Sequence, residues 1–361
     1  MVNGKTLIIE GELELTGGAQ IDATASQSTV VFAGELQQTI DSASFYNDSV
    51  ANLIVDNAAG LRIGSDLIVF HDLNINTGKK ITVDPKRCLT VSGVLDNQAG
   101  SDAFILESDA TGTARLNHTP SNVPATVQRY INGASEYWHF LSAPVADQQI
   151  GENEGAADSW LPSGTYGNGT GYDLYVWNEP THCWIYKLNT TAPVNWNTVH
   201  PGSVFSPGRG YLYSLQALHP VKTFRGLLNS GTVTVNLTAQ SPHPDLSGFN
   251  LVGNPYPSAI DWSALQGWER DDLTFSGGGH DVWIWNPAAN NYGVYNSTDG
   301  DGIGTNAASR YIAPAQGFFV RAISDGTLGM DNRIRVSSDV PWFKSTKEHK
   351  SRISLGAVSD A

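Results

Sequence analysis

Residues 248–262 read G-F-N-L-V-G-N-P-Y-P-S-A-I-D-W, an apolar strand that runs into Gly253, Asn254 and Pro255. Glycine and asparagine suit a turn there, and proline ends sheet pairing. Residues 138–144, W-H-F-L-S-A-P, repeat the pattern of apolar strand, small residue and proline at an offset of 111 residues (249 − 138). Two further pairs follow in the same order. Y-D-L-Y-V-W-N at 172–178 matches H-D-V-W-I-W-N at 280–286, an offset of 108 (280 − 172). S-P-G-R-G-Y-L-Y at 206–213 matches A-P-A-Q-G-F-F-V at 313–320, an offset of 107 (313 − 206). Three ordered blocks at a nearly constant offset predict a tandemly duplicated β unit, with halves at about 127–240 and 241–340.

Composition agrees with an all-β chain. Charged residues make up 16% of the 361, while Gly (37), Trp (10) and Tyr (13) are plentiful. Such a chain is long enough for two cores, and its residues favour strands and turns over helices. Against 21 basic residues stand 35 acidic ones, a net charge of −14. That balance argues against nucleic acid or an anionic membrane as a partner. No apolar run is long enough to span a bilayer, so no membrane insertion is expected, and residues 1–5 carry no apolar core of a signal peptide. Cys88 and Cys183 stand too far apart in sequence for a disulfide framework or a C-x-x-C metal site and are expected as buried thiols.

Before the duplicated unit, residues 1–118 hold short strands of three to five residues separated by Gly, Asn, Asp and Ser. Segments 6–9, 12–15, 29–32, 53–55, 67–70, 73–75, 81–83, 89–91 and 103–106 are the expected strands. Strands this short and frequent predict a right-handed β-helix-like solenoid with coils of very roughly 20 residues. A small sandwich is the alternative, but tight Asn-Gly hairpin turns are absent. Residues 119–126 hold Pro120 and Pro124 and read as a linker. The expected fold is thus a short solenoid followed by a jelly-roll-like β-sandwich over 127–340, with a polar tail at 341–361.

The ordered motifs carry a resemblance. S-D-A-T-G-T-A-R-L (108–116), V-Q-R-Y-I (127–131), W-H-F-L-S-A-P-V (138–145), F-N-L-V-G-N-P-Y-P-S-A-I-D-W (249–262), W-N-P-A-A-N-N-Y-G-V-Y-N (285–296) and I-A-P-A-Q-G-F-F-V (312–320) form the series. It resembles large secreted surface proteins of Bacteroidetes-type bacteria, often labelled adhesins. The solenoid segments N-L-I-V-D-N-A-A-G-L (52–61) and L-T-V-S-G-V-L (89–95) are similar to the region preceding this module in them. The resemblance implies export by type IX secretion, display at the cell surface and outer membrane, an extracellular glycan or protein ligand, and no catalysis. It also implies O-glycosylation at Ser42 and Ser49, in D-S-A and D-S-V.

Chemistry in the sequence is aromatic rather than ionic. Along 173–178 and 281–286, Tyr175 and Trp177, and likewise Trp283 and Trp285, alternate with aliphatic residues, so one face of each strand is aromatic. With Tyr292, and with Trp184, Tyr186 and Tyr295 nearby, such a face is either a platform on which a sugar ring stacks or a packing face between two halves. In S-T-D-G-D-G-I-G-T-N (297–306), Asp299 and Asp301 alternate with glycine and make a candidate calcium loop, although the full EF-hand pattern is missing. No G-x-S-x-G, H-E-x-x-H or phosphate-binding loop occurs. The expected function is a non-catalytic adhesin or interaction module. A carbohydrate-binding module for glycan use is the alternative, and a glycan-active lyase or hydrolase the more distant one.

Overall fold

The computed structural model describes residues 3–131, 138–150, 160, 172–215, 221–298, 300 and 304–340. The chain is all-β, a solenoid of about five turns followed by antiparallel sheets.

The coils of the solenoid give short strands to three sheets in which neighbouring coils pair in parallel, and the first coil, with Thr6–Ile9 and Ile21–Ala23, enters only two of them. Strands of three or four residues leave only one or two inward positions, and these stack from coil to coil. Val30 pairs with Leu53, Leu53 with Leu73 and Leu73 with Leu95, forming one buried column. Leu61, Ile81 and Phe104 make a second, and Leu67, Leu89 and Leu116 a third. Each such side chain gains about 1.5–3 kcal/mol on leaving water, but only when the next coil covers it. Where strands end, buried amide side chains add hydrogen bonds to backbone carbonyls. Gln38 Nε2 donates to Ile9 O (2.9 Å) and Gly11 O (2.6 Å), and its Oε1 accepts from Asn57 Nδ2 (2.9 Å).

Several details differ from the sequence reading. Glu12–Leu15 alternates but pairs with nothing and is not a strand. Gln38–Ile40 and Phe45–Val50 are strands, although both are polar. Ser42 is exposed, whereas Ser49 is buried with its hydroxyl on Tyr46 O (2.9 Å), which takes it out of reach of a modifying enzyme in the folded chain. Cys88 is buried as expected, but Cys183 is exposed. The polar tail, 341–361, lies outside the described residues.

The segment read as a linker is strand from Pro124 onward. Pro124–Tyr130 pairs in parallel with the solenoid strand Phe104–Leu106 on one side. On the other it pairs antiparallel with Val221–Leu228, which in turn pairs with Val145–Ala146. One seven-stranded sheet therefore runs from the solenoid into the first half, and one core joins the two.

The duplication is plain in strand order. In the first half, Trp138–Leu141, Tyr211–Leu215, Tyr172–Asn178 and Cys183–Tyr186 lie side by side in that order. In the second, Phe249–Gly253, Gly317–Arg321, Asp281–Asn286 and Asn291–Asn296 lie side by side in the corresponding order. The aliphatic face of the second sheet, with Val252, Val282, Ile284 and Val320, packs on Leu237, Leu328 and Met330 of a further sheet.

The stretch 248–262 is where all parts meet. Asn254, buried beyond solvent, donates Nδ2 to Ser258 O (2.8 Å) and Ala313 O (3.0 Å) and accepts from Tyr256 N (2.9 Å). The Tyr256 hydroxyl lies between Gly231 O (2.7 Å) and Met330 O (2.9 Å) and shares its one proton between them. Pro255 O accepts from Asn229 in the first half, and Pro257 O from the amide of Leu116 in the solenoid.

Candidate functional site

The two four-stranded sheets turn their aromatic faces toward each other. Phe140 and Leu212 of the first half meet Leu251 and Phe319 of the second, and half-buried rings surround them. The rings meet edge to face for the most part. Phe140 and Phe319 are 5.4 Å apart between centroids, Trp177 and Phe319 5.8 Å, and Phe249 and Trp283 5.0 Å. Such contacts add about 0.5–1.5 kcal/mol each beyond the area they bury.

This contact is two-fold in kind. Leu141 bridges to Gln316, and the corresponding residues Val252 and Arg209 bridge likewise. The amide of Ser142 donates to Ala315 O (2.9 Å), and the amide of the corresponding Gly253 donates to Gly208 O (2.8 Å). Residue i of one half touches j of the other, and j touches i, as at a self-complementary dimer interface. On this pseudo-axis Ser142 and Gly253 stand face to face. A Cβ on Gly253 would fall 2.3 Å from the Cβ of Ser142, so only one of the two positions has room for a side chain.

The packing leaves two cavities within the aromatic layer. One, of about 480 Å³, is lined by Trp177, Trp184, Phe249, Trp283, Tyr292 and Phe319, with His182 and Leu246. The other, of about 390 Å³, is lined by Trp138, Phe140, Tyr175, Leu212 and Trp285, and again by Trp184 and Tyr292. Both volumes fall in the range of ligand sites, about 300–1,000 Å³. All five aromatic residues singled out from sequence, Tyr175, Trp177, Trp283, Trp285 and Tyr292, line one or both. Sequence reading missed Trp138, Phe249 and Phe319, which lie in strand motifs whose alternation and offset already placed them on the aromatic face. It also grouped Tyr295 with the platform. Tyr295 instead faces the second half's core, with its hydroxyl donated to Gly300 O (2.6 Å).

Polar groups around the cleft are few and differ between halves. Trp177 Nε1 donates to Phe249 O (2.7 Å). Its counterpart, the buried Trp285 Nε1, finds no acceptor among the described residues. Burial pushes the Tyr292 hydroxyl up to about 12, so a neutral phenol sits where the cavities adjoin. Among the described residues, no carboxylate, lysine or arginine lines either cavity.

One wall is fixed by Glu179, at the tip of the hairpin that carries Trp177 and Trp184. Its carboxylate, 2% exposed, accepts the amides of Gln240 (2.9 Å), Ser241 (3.0 Å) and Gly248 (2.9 Å), in the segment that leads into the opposite aromatic sheet. Burial works to raise this carboxyl, but the amides of Gln240, Gly248 and Ser241 together hold it below its ordinary range. The ion is thus a clamp between the halves. His182 follows it in the left-handed region (φ 51°), its ring 4.8 Å from that of Trp177.

Asp299 and Asp301, the expected calcium ligands, lie outside the described residues. Among the described residues, no group of three or more His, Cys, Asp or Glu stands close enough to hold a metal ion, and no helix is long and apolar enough to cross a membrane. No curated protein and no solved structure matches the chain. The model of the family described as Domain of unknown function (DUF8693) matches residues 23–359, across solenoid and both halves, and the chain belongs to that family.

Proposed function

We propose that the chain is a non-catalytic adhesin-type module, displayed at the cell surface, that holds a glycan in the cleft between its two aromatic sheets. The observation that carries this reading is the convergence of Tyr175, Trp177, Trp283, Trp285 and Tyr292 on two adjoining cavities. Tryptophan and tyrosine offer an apolar face to the C–H side of a sugar ring and a polar edge to its hydroxyls. A lining of rings without carboxylates suits binding better than acid–base chemistry, which needs positioned titratable groups. Surface display rests on the resemblance of the ordered motifs, and the solenoid would serve to space the cleft from its neighbours.

A glycan array on the full chain, read with calcium and with a chelator, tests the reading. The expected result is binding that disappears in a Trp283→Ala, Trp285→Ala double variant whose far-ultraviolet circular dichroism is unchanged. Loss on chelation would assign a role to Asp299 and Asp301. A wild-type chain that binds no glycan would overturn the proposal.

A further inference from the structure

The two cavities are counterparts of each other. The offsets that relate the halves carry Trp177 to Trp285, Trp184 to Tyr292 and Tyr175 to Trp283. They also carry Trp138 to Phe249 and Leu212 to Phe319. Exchanging the halves therefore turns the lining of the larger cavity, residue by residue, into that of the smaller, with Phe140, His182 and Leu246 the additions. Trp184 and Tyr292 exchange with each other and line both, so the cavities adjoin across these two rings.

Resting on the glycan reading above, we infer that the cleft is a pair of quasi-equivalent subsites that together hold one neutral β-linked oligosaccharide of all-equatorial pyranose rings. Each subsite draws its walls from both halves, so neither half alone has a site. A two-fold axis reverses the direction of any chain that crosses it. Hydrogen-bond recognition of a directional chain is then met in one subsite and reversed in the other. Stacking escapes this conflict, because a ring with all substituents equatorial shows only C–H groups on both faces and stacks in either direction. Duplication of an aromatic site thus selects that ring class. Charge selects further, since a lining without ions and a net charge of −14 disfavour anionic sugars.

The hydrogen bonding of the two corresponding indole N–H groups breaks the symmetry and sets the register. In the larger subsite Trp177 Nε1 is already donated to Phe249 O. In the smaller, the buried Trp285 Nε1 has no acceptor among the described residues, and a sugar that parts the rings over it would give it its first partner. The ring in the smaller subsite is accordingly the anchored one.

Calorimetric titration of the full chain with glucose and with β-1,4-linked glucose oligomers of increasing length tests the pairing. Affinity is expected to rise in a step, about tenfold or more, at the length that first reaches both subsites, because the second contact becomes intramolecular. It should then level off, at one oligomer per chain. Tyr175→Ala and its counterpart Trp283→Ala should each remove the step and leave short-oligomer affinity. Trp285→Phe, which keeps a ring and removes the N–H, should keep the step and weaken every length by about threefold. A smooth rise with length, two long oligomers per chain, or loss of all binding through one subsite only would overturn the inference. Binding on the array to other glycans without binding to this series would overturn it while leaving the module a lectin. No binding to any glycan would overturn both.

Discussion

The two halves share a strand order and differ in what supports them. In the first, the sheet behind the aromatic layer is the continuation of a solenoid sheet, through Pro124–Tyr130, and its core merges with the solenoid's. In the second, Val233–Leu237, which the sequence reading puts at the end of the first half, pairs with Gly326–Met330 in the corresponding way, but among the described residues no solenoid strand continues the sheet, and a separate core forms around Tyr256, Trp262 and Phe318. Duplication thus made two similar faces, and only the first shares a sheet and a core with the solenoid. The second half compensates with buried polar anchors, Asn254 and Tyr256, where the first uses a continuous ladder.

The largest test of this contrast is a pair of core truncations. Phe224→Ala removes a ring stacked on Trp160 (centroids 4.7 Å) in the first half, and Leu328→Ala removes a buried side chain of the second. The first should cost about 3–5 kcal/mol and the second about 2–5 kcal/mol. What separates them is which amides lose protection. Hydrogen exchange in Phe224→Ala should rise in the last solenoid coils as well as in the first half, because one core serves both. In Leu328→Ala the rise should stop at the second half. Equal exchange across the whole chain in both variants would show a single cooperative unit and dissolve the contrast.

A smaller effect is expected on the pseudo-axis. Gly253→Ser places a second side chain against Ser142 where only one fits, and overpacking of this kind costs about 1–3 kcal/mol. Adding Ser142→Gly exchanges the two residues between halves and should recover most of the loss, since the remaining neighbour of the new Cβ, Gln316 O, is 3.3 Å away. Denaturant midpoints of the two single variants and the double form a cycle whose coupling term measures the contact directly. Additive losses would mean that the axis does not relate these two positions.

The duplication was legible in the sequence because three motifs recur in order, and the strand order of both sheets bears it out. The solenoid was legible from strands such as L-N-I and I-T-V, whose alternation survives even at three residues. The polar strands Gln38–Ile40 and Phe45–Val50 were not, because the coils that flank them, rather than their own residues, hold them in the sheet. Pro124–Tyr130 was readable as a strand, but nothing in A-T-V-Q-R-Y names a solenoid strand as its partner. The aromatic residues of the cleft were legible one by one. That their faces oppose each other across a two-fold was not, because a repeat fixes what each half looks like and leaves open how the halves meet. Ser142 and Gly253 were the available clue, a serine and a glycine at corresponding positions, and their meaning depends on the contact itself.

The smallest expected effect separates folding from binding at equivalent positions. Trp177 and Trp285 correspond, and their rings occupy corresponding places, yet only Trp177 has an acceptor, Phe249 O. Removing a hydrogen bond and leaving a carbonyl behind costs about 1 kcal/mol. Trp177→Phe should therefore lower the denaturant midpoint by about that amount beyond whatever the smaller ring loses in packing. Trp285→Phe loses the same ring area but no bond, and it also relieves the protein of a buried donor without a partner, so its midpoint should fall less or rise. Ligand reverses the order. Saturating glycan should restore the gap in favour of the wild type over Trp285→Phe, because the N–H contributes only when a hydroxyl meets it. Equal midpoints for the two variants without ligand would show that the Trp177 bond contributes nothing. A Trp285→Phe chain stabilised by glycan as much as the wild type would show that the free N–H is an accident of duplication rather than the anchor of the site.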